Sequence, residues 1–280
     1  MNYTLGLYEK AMPKGLSFEQ MLLATRRAGF DRMEISIDET DERLSRLDGG
    51  WDELSLAIKN ARVPVTTMCL SGHRRFPAGS HDPEIRRKSV EIMRKAVEFS
   101  AETGVRLIQL AGYDVYYEQG DADTKRWFLE GLAQFVDCAA THGVALGFET
   151  METEFMDTVG KAMKYVKLID SPYLGVYPDI GNLKNASVKY ETDLVEDLRA
   201  GRGHIFAAHL KETRPGIYRD MEFGQGHTQY APCLDELIRQ GVRMFTGEFW
   251  FSGESDTDAR LKSAARFLRL HIDDAIKRLK

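Results

Sequence analysis

Ala145-Leu146-Gly147-Phe148-Glu149 and Leu174-Gly175-Val176-Tyr177-Pro178-Asp179 are two short apolar runs, each closing on a carboxylate. Between them, over residues 158–169, apolar side chains recur at helical spacing with lysines interspersed, which predicts an amphipathic helix. Strand, helix and strand in that order build two parallel strands joined by a crossover. The same alternation runs outward in both directions. Apolar, β-branched and aromatic runs predict strands over residues 4–8, 32–37, 65–70, 106–112, 145–149, 174–179, 205–210 and 244–249. Helices are predicted over 18–28, 51–60, 83–102, 123–141, 158–169, 192–200, 231–239 and 256–277. Gly29, Gly104, Gly143, Gly203 and Gly241 stand where helices end. Asp123, Thr158 and Thr192 are expected as N-caps, with Pro83 in a first helical turn.

Eight βα units without a Ser/Pro-rich linker predict an α/β fold, a (β/α)₈ TIM barrel in which residues 1–280 form one domain. A doubly wound open sheet is the competing architecture. It would carry a glycine-rich phosphate turn after its first strand, where this chain has Tyr8-Glu9-Lys10-Ala11. Hydrophobic residues make up 43% of the chain and charged residues 29%, which excludes general disorder. A net charge of −5 argues against a nucleic-acid partner. Cys69, Cys138 and Cys233 lie far apart, so neither a zinc ribbon nor a disulfide framework is expected, and a reducing compartment suits them. The opening Met1-Asn2-Tyr3-Thr4-Leu5 lacks the pattern of a signal peptide, and no apolar run has the ~20 residues that a membrane span needs. The expectation is a cytoplasmic protein with no membrane partner.

In a βα barrel, catalytic groups stand at the C-terminal ends of the strands. The last four predicted strands end in Glu149, Asp179, His209 and Glu248, about one βα unit apart, and so aim four metal-capable side chains into one mouth. Three crowded carboxylates repel one another unless a cation offsets the charge. Carboxylate oxygens with one imidazole suit one divalent ion such as Mn²⁺, Mg²⁺, Co²⁺ or Zn²⁺. Read singly, each is an ordinary polar residue where a strand meets solvent; it is the set that points to a site.

At these residues the chain resembles the xylose-isomerase-like barrels, and most closely the L-ribulose-5-phosphate 3-epimerases, also called L-xylulose-5-phosphate 3-epimerases, of pentulose and ascorbate catabolism. The likeness runs nearly end to end. Its most specific strings are Asp38-Glu39-Thr40-Asp41-Glu42-Arg43-Leu44-Ser45-Arg46-Leu47, Cys69-Leu70-Ser71-Gly72-His73-Arg74-Arg75-Phe76-Pro77, Gln109-Leu110-Ala111-Gly112-Tyr113-Asp114-Val115-Tyr116-Tyr117-Glu118, Val176-Tyr177-Pro178-Asp179-Ile180-Gly181-Asn182-Leu183 and His209-Leu210-Lys211-Glu212-Thr213. The resemblance implies that Glu149, Asp179, His209 and Glu248 bind one divalent metal, that Glu149 and Glu248 are also the catalytic acid/base pair, and that Arg219 contacts substrate. It further implies a homo-oligomer, a dimer or larger. Asn182 and Phe155 stand where unphosphorylated-ketose epimerases carry a histidine and a glutamate, which favours a sugar phosphate as the small-molecule partner and places Asn182 among the expected substrate-binding residues.

Epimerisation at C3 of a 2-ketose removes a proton beside the carbonyl to give an enediolate, then returns one to the opposite face. Such chemistry needs no organic cofactor. A phosphate needs positive groups at the mouth, for which His73, Arg74 and Arg75 after the third strand and Lys211, Arg214 and Arg219 after the seventh are candidates. Solvated surface charge is the competing reading of the loop arginines. Tyr113, Tyr116 and Tyr117 are either pocket walls or packing. The alternatives are a metal-dependent aldose–ketose (hexulose phosphate) isomerase on the same barrel and a catalytically inactive sugar-binding barrel. A zinc endonuclease acting at abasic DNA sites ranks lower, because Asn182 stands where a further ligand would be wanted.

Overall fold

A computed structural model describes residues 2–280. Its strands are β1 (Thr4–Tyr8), β2 (Arg32–Ile37), β3 (Val65–Leu70), β4 (Leu107–Leu110), β5 (Ala145–Phe148), β6 (Leu174–Val176), β7 (Ala208–Leu210) and β8 (Met244–Gly247). They form one eight-stranded sheet in the order β6-β5-β4-β3-β2-β1-β8-β7, and every pairing is parallel. The ends meet at β6 and β7, where Val176 N–H donates to His204 O at 2.8 Å, Phe206 N–H to Val176 O at 3.0 Å and His209 N–H to Pro178 O at 2.9 Å. The expected (β/α)₈ barrel is therefore the observed one.

Among the described residues ten α-helices accompany the strands: α1 (Phe18–Ala28), α2 (Asp41–Leu44), α3 (Asp52–Ala61), α4 (Pro83–Thr103), α5 (Ala122–Thr141), α6 (Val159–Ile169), α7 (Ile180–Tyr190), α8 (Leu194–Ala200), α9 (Tyr230–Arg239) and α10 (Thr257–Arg278). Among the described residues no helix is long and apolar enough to cross a membrane. Capping explains several starts. Thr158 and Asp82 cap α6 and α4, the latter with Pro83 in its first turn. Two expected caps move by one or two residues. Asp121 rather than Asp123 caps α5, because its Oδ1 accepts from Asp123 N at 2.8 Å and Thr124 N at 2.9 Å. Asp193 rather than Thr192 caps α8, accepting from Val195 N at 2.7 Å.

The larger departure is α7, where no helix was expected. Its buried face mixes Ile180, Leu183 and Ala186 with Asn182, Asn185 and Ser187, so the apolar stripe that signals a helix is broken by polar residues. The predicted strand over 174–179 ends early for the same reason: Asp179 is the N-cap of α7, its Oδ1 accepting from Gly181 N and Asn182 N at 2.8 Å each. Gly181 is required here, since a Cβ would lie 2.8 Å from Lys211 O.

Inside the barrel, β2 alternates. Met33, Ile35 and Ile37 join the main apolar core, while Arg32, Glu34 and Ser36 are polar and equally buried. Arg32 spans the lumen, donating to Thr67 Oγ1 at 2.8 Å, Phe245 O at 2.9 Å and Thr246 Oγ1 at 2.8 Å. Gly6 makes room for it: a Cβ there would stand 2.7 Å from Arg32 Nη1. This polar layer is the floor on which the mouth is built.

Candidate metal centre

Glu149 and Glu248 each follow directly on the last residue of a strand, β5 and β8, and their amides continue the ladder by donating to Leu110 O and Leu210 O at 3.0 Å. His209 lies within β7, and Asp179 pairs with it across the barrel's closing seam. All four side chains are buried, and one ligand atom from each lies within 4.8 Å of the others.

Each side chain is held by one face and leaves another turned to the cluster. His209 Nε2 lies 2.6 Å from Glu34 Oε1, so its N–H donates there and Nδ1 is turned to the cluster. That Nδ1 is 3.4 Å from Glu149 Oε1 and 3.3 Å from Glu248 Oε2. Glu34 is fixed in turn by the Tyr177 hydroxyl, which donates to Oε2 at 2.8 Å. The Gln109 amide donates to Glu149 Oε2. Asp179 spends Oδ1 on the helix cap, and its Oδ2 has no hydrogen-bond donor; Glu248 Oε2 has none either. The Lys211 ammonium is near both, 3.0 Å from Asp179 Oδ2 and 3.2 Å from Glu248 Oε2, but is not aligned to donate to either.

The electrostatics are those of a site short of positive charge. Burial, and next to it the Glu248 charge, raises the Glu149 carboxyl above its ordinary value. Burial pushes Asp179 up as well, against the pull of Lys211. Glu248 is held well below the usual range, because Lys211 and His209 outweigh its burial. One carboxylate thus keeps its charge by taking the local cations, and the other two resist ionising. A divalent ion relieves that conflict, and oxygen donors with one imidazole fit such an ion. The two oxygens without a hydrogen-bond donor, and His209 Nδ1 between Glu149 and Glu248, are the atoms turned to such an ion.

Around the cluster the cavity is lined by Tyr8, Lys10, Cys69, Ser71 and Arg74 on one side and by Asn182, Lys211, Arg219 and Trp250 on the other. Three residues expected at the substrate therefore lie in the mouth. Asn182 donates from Nδ2 to Thr150 O at 2.7 Å and keeps a buried, unpartnered Oδ1. The Arg219 guanidinium lies over the Trp250 ring at 4.9 Å. Lys211 sits among the carboxylates.

Two expected residues do not line the cavity. His73 is buried behind it, stacked on Phe135 at 5.0 Å with Nε2 donating to Ser89 O at 3.1 Å, a packed core histidine. Arg75 points outward to Asp41 at 2.8 Å, and it is its neighbour Arg74 that faces the cavity. The turn Ser71–Arg74 rotates successive side chains to different sides, which the strand pattern could not resolve. Phe155 packs on Phe128 and Tyr165, outside the cavity. Sequence reasoning passed over Glu34, Arg32 and Gln109. The alternation of polar and apolar residues along 32–37 was the available signal, because in a strand buried on both faces the polar set must line the lumen.

Comparison with known proteins agrees with this geometry. Residues 22–271 match the xylose isomerase-like TIM barrel family. The chain is 41% identical over 277 residues to the L-ribulose-5-phosphate 3-epimerase of Escherichia coli O157:H7, covering 97% of this chain and 95% of that one. The enzyme of the same name from Shigella sonnei matches over the same shares of both chains, again at 41% identity. Among solved structures, D-allulose 3-epimerase from Methylomonas sp. superposes with a TM-score of 0.79 at 16% identity, covering 97% of this chain and 99% of that one. An L-ribulose 3-epimerase gives 0.79 at 19% identity, covering 100% and 97%. At such identities the structures speak to the fold, and the sequence relatives carry the assignment: the chain is an isomerase that belongs to the L-ribulose-5-phosphate 3-epimerase family of xylose isomerase-like TIM barrels.

Proposed function

We propose that this chain is a metal-dependent 3-epimerase interconverting L-ribulose 5-phosphate and L-xylulose 5-phosphate, or a closely related pair of ketose phosphates. The observation that carries the reading is the convergence of Glu149, Asp179, His209 and Glu248 to within 4.8 Å at the mouth of the barrel. One divalent ion held by the four would polarise the C2 carbonyl and acidify the hydrogen on C3.

The protein's own groups then move the proton. A carboxylate fixed on one side of an enediolate can return a proton only to the face from which it came, so inversion needs a second group on the other side. Glu149 and Glu248 rise from different strands, β5 and β8, with His209 Nδ1 near both. One takes the proton from C3, the other delivers a proton to the opposite face, and the reverse reaction exchanges the roles. The Gln109 amide on Glu149 fixes the rotation of that carboxylate. Lys211 and Arg219 donate to substrate oxygens, and Asn182 Oδ1 accepts from a substrate hydroxyl. The reaction is redox-neutral and uses no organic cofactor.

Turnover in deuterated water tests the reading. Deuterium is expected at C3 of the product, with the C1 hydrogens unlabelled. Label at C1 together with an aldose product would instead make the protein an aldose–ketose isomerase. L-Ribulose 5-phosphate is expected to be turned over better than L-ribulose; equal or better turnover of the free sugar would refute the phosphate requirement.

A further inference from the structure

The connection from β7 to α9, residues 211–229, brings Tyr218 and Arg219 to the wall of the cavity. Among the described residues it contains no helix or strand, and one antiparallel bridge joins Arg214 to Ile217. A connection of this length must find other partners for its backbone donors. One buried side chain supplies three of them. Glu212 Oε1 accepts from Thr213 N–H at 3.2 Å and from Thr228 N–H at 3.1 Å. Its Oε2 accepts from Gly224 N–H at 2.7 Å and from the Tyr230 hydroxyl at 3.4 Å. Thr213 opens the loop, and Gly224 and Thr228 close it, so a single carboxylate ties the neck. The fit is close, since a Cβ on Gly226 would stand 2.5 Å from Glu212 Oε1.

From the neck the chain runs out to α7, where Gly216 N–H donates to Asn185 Oδ1 at 3.2 Å. It returns through Arg219, whose guanidinium lies over the Trp250 ring at 4.9 Å. On the return, Glu222 accepts from Arg260 Nε at 2.7 Å, and Arg260 also donates to Trp250 O at 2.8 Å. Arg219 is exposed on its outer side, so its station over the mouth follows from the course of the loop that carries it. We propose that Glu212 is a positioning residue for substrate binding: by closing the neck of the 213–228 loop it sets where Arg219 stands. This deepens the reading of Arg219 as a donor to substrate oxygens and rests on it. Glu212 lies outside the cavity wall and does not touch substrate. Its influence is through placement, to which a binding group is sensitive at the scale of about 1 Å.

The experiment compares wild type, Glu212→Gln, Gly226→Ala, Arg219→Met and the two double variants that include Arg219→Met. For each, kcat and KM on L-ribulose 5-phosphate, metal content and hydrogen exchange over residues 213–228 are measured. Glu212→Gln sets an amide donor against backbone N–H groups. Gly226→Ala wedges the neck with the carboxylate intact, and carries the test if Glu212→Gln does not fold. In both, exchange over 213–228 is expected to quicken and kcat/KM to fall by roughly tenfold, chiefly through KM, at unchanged metal content. In the Arg219→Met background the same substitutions are expected to lower kcat/KM by less than about twofold, because the group they displace is gone. A Glu212 that serves stability alone would quicken exchange and leave KM at the wild-type value. A Glu212 that acts on the metal centre directly would keep its full effect without Arg219. Either result overturns the proposal. A wild type that does not turn over L-ribulose 5-phosphate is a different failure: it refutes the substrate reading and this inference with it.

Discussion

Glu9 and Glu248 hold the same station in the barrel, each one residue beyond the end of its strand, and both are buried. Their surroundings differ in one respect that decides what each does. Glu9 is fully engaged: its carboxylate accepts from Ser36 N at 2.8 Å and from Arg46 at 2.8 Å, and it pairs with Arg43. Glu248 shares one lysine and one histidine with Glu149 and Asp179, and its Oε2 has no hydrogen-bond donor. A buried carboxylate whose oxygens are all matched by protein donors fastens the fold, here tying the loop after β2 to β1. One that belongs to a group of carboxylates sharing too few protein cations and donors marks a place for something the chain does not itself provide.

That contrast is broken or sharpened most strongly at the acidic half. Glu149→Gln and Glu248→Gln are each expected to slow conversion by ~10²-fold or more, with the fold intact, measured by turnover alongside metal content so that loss of a ligand is separated from loss of a base. Glu9→Ala should do the reverse. Breaking its buried pairs costs about 3 kcal/mol or more of stability, read by chemical denaturation, while metal content stays at the wild-type level.

His73 supplies a third test, on a residue that belongs to packing and not to the cavity. Burial lowers it from its ordinary value of 6.5 to about 4. Between those values the unfolded chain binds a proton here and the folded chain does not, so stability is complete above pH 6.5 and falls as pH drops toward 4, by up to about 3 kcal/mol. Denaturation midpoints at several pH values should show that slope in wild type and a shallower one in His73→Phe. The smallest effect is expected from Glu34→Gln, which keeps the hydrogen bond to His209 but removes its charge. Metal affinity should drop by roughly ten- to a hundredfold, measured by titration of the metal-free protein.

The contrast between Glu9 and Glu248 also explains what could be read from the chain alone. The barrel was legible because apolar runs and helical stripes alternate eight times, and the four candidate ligands because they close four successive predicted strands. The helix α7 was not, since Asn182, Asn185 and Ser187 interrupt the apolar stripe of its buried face. The choice of Arg74 over Arg75 and the burial of His73 turn on the rotation of a single tight turn, which no periodicity encodes. The part played by Glu34 depends on a residue 175 positions away, brought to it only when the barrel closes.

The central claim is that Glu149, Asp179, His209 and Glu248 together hold one divalent cation. Its most direct test is metal titration and elemental analysis of the wild type beside Asp179→Ala and His209→Ala, with circular dichroism confirming that each variant is folded. The account predicts one ion bound per chain in the wild type and a loss of stoichiometric binding in both variants. Stoichiometric binding of undiminished affinity in both would contradict it.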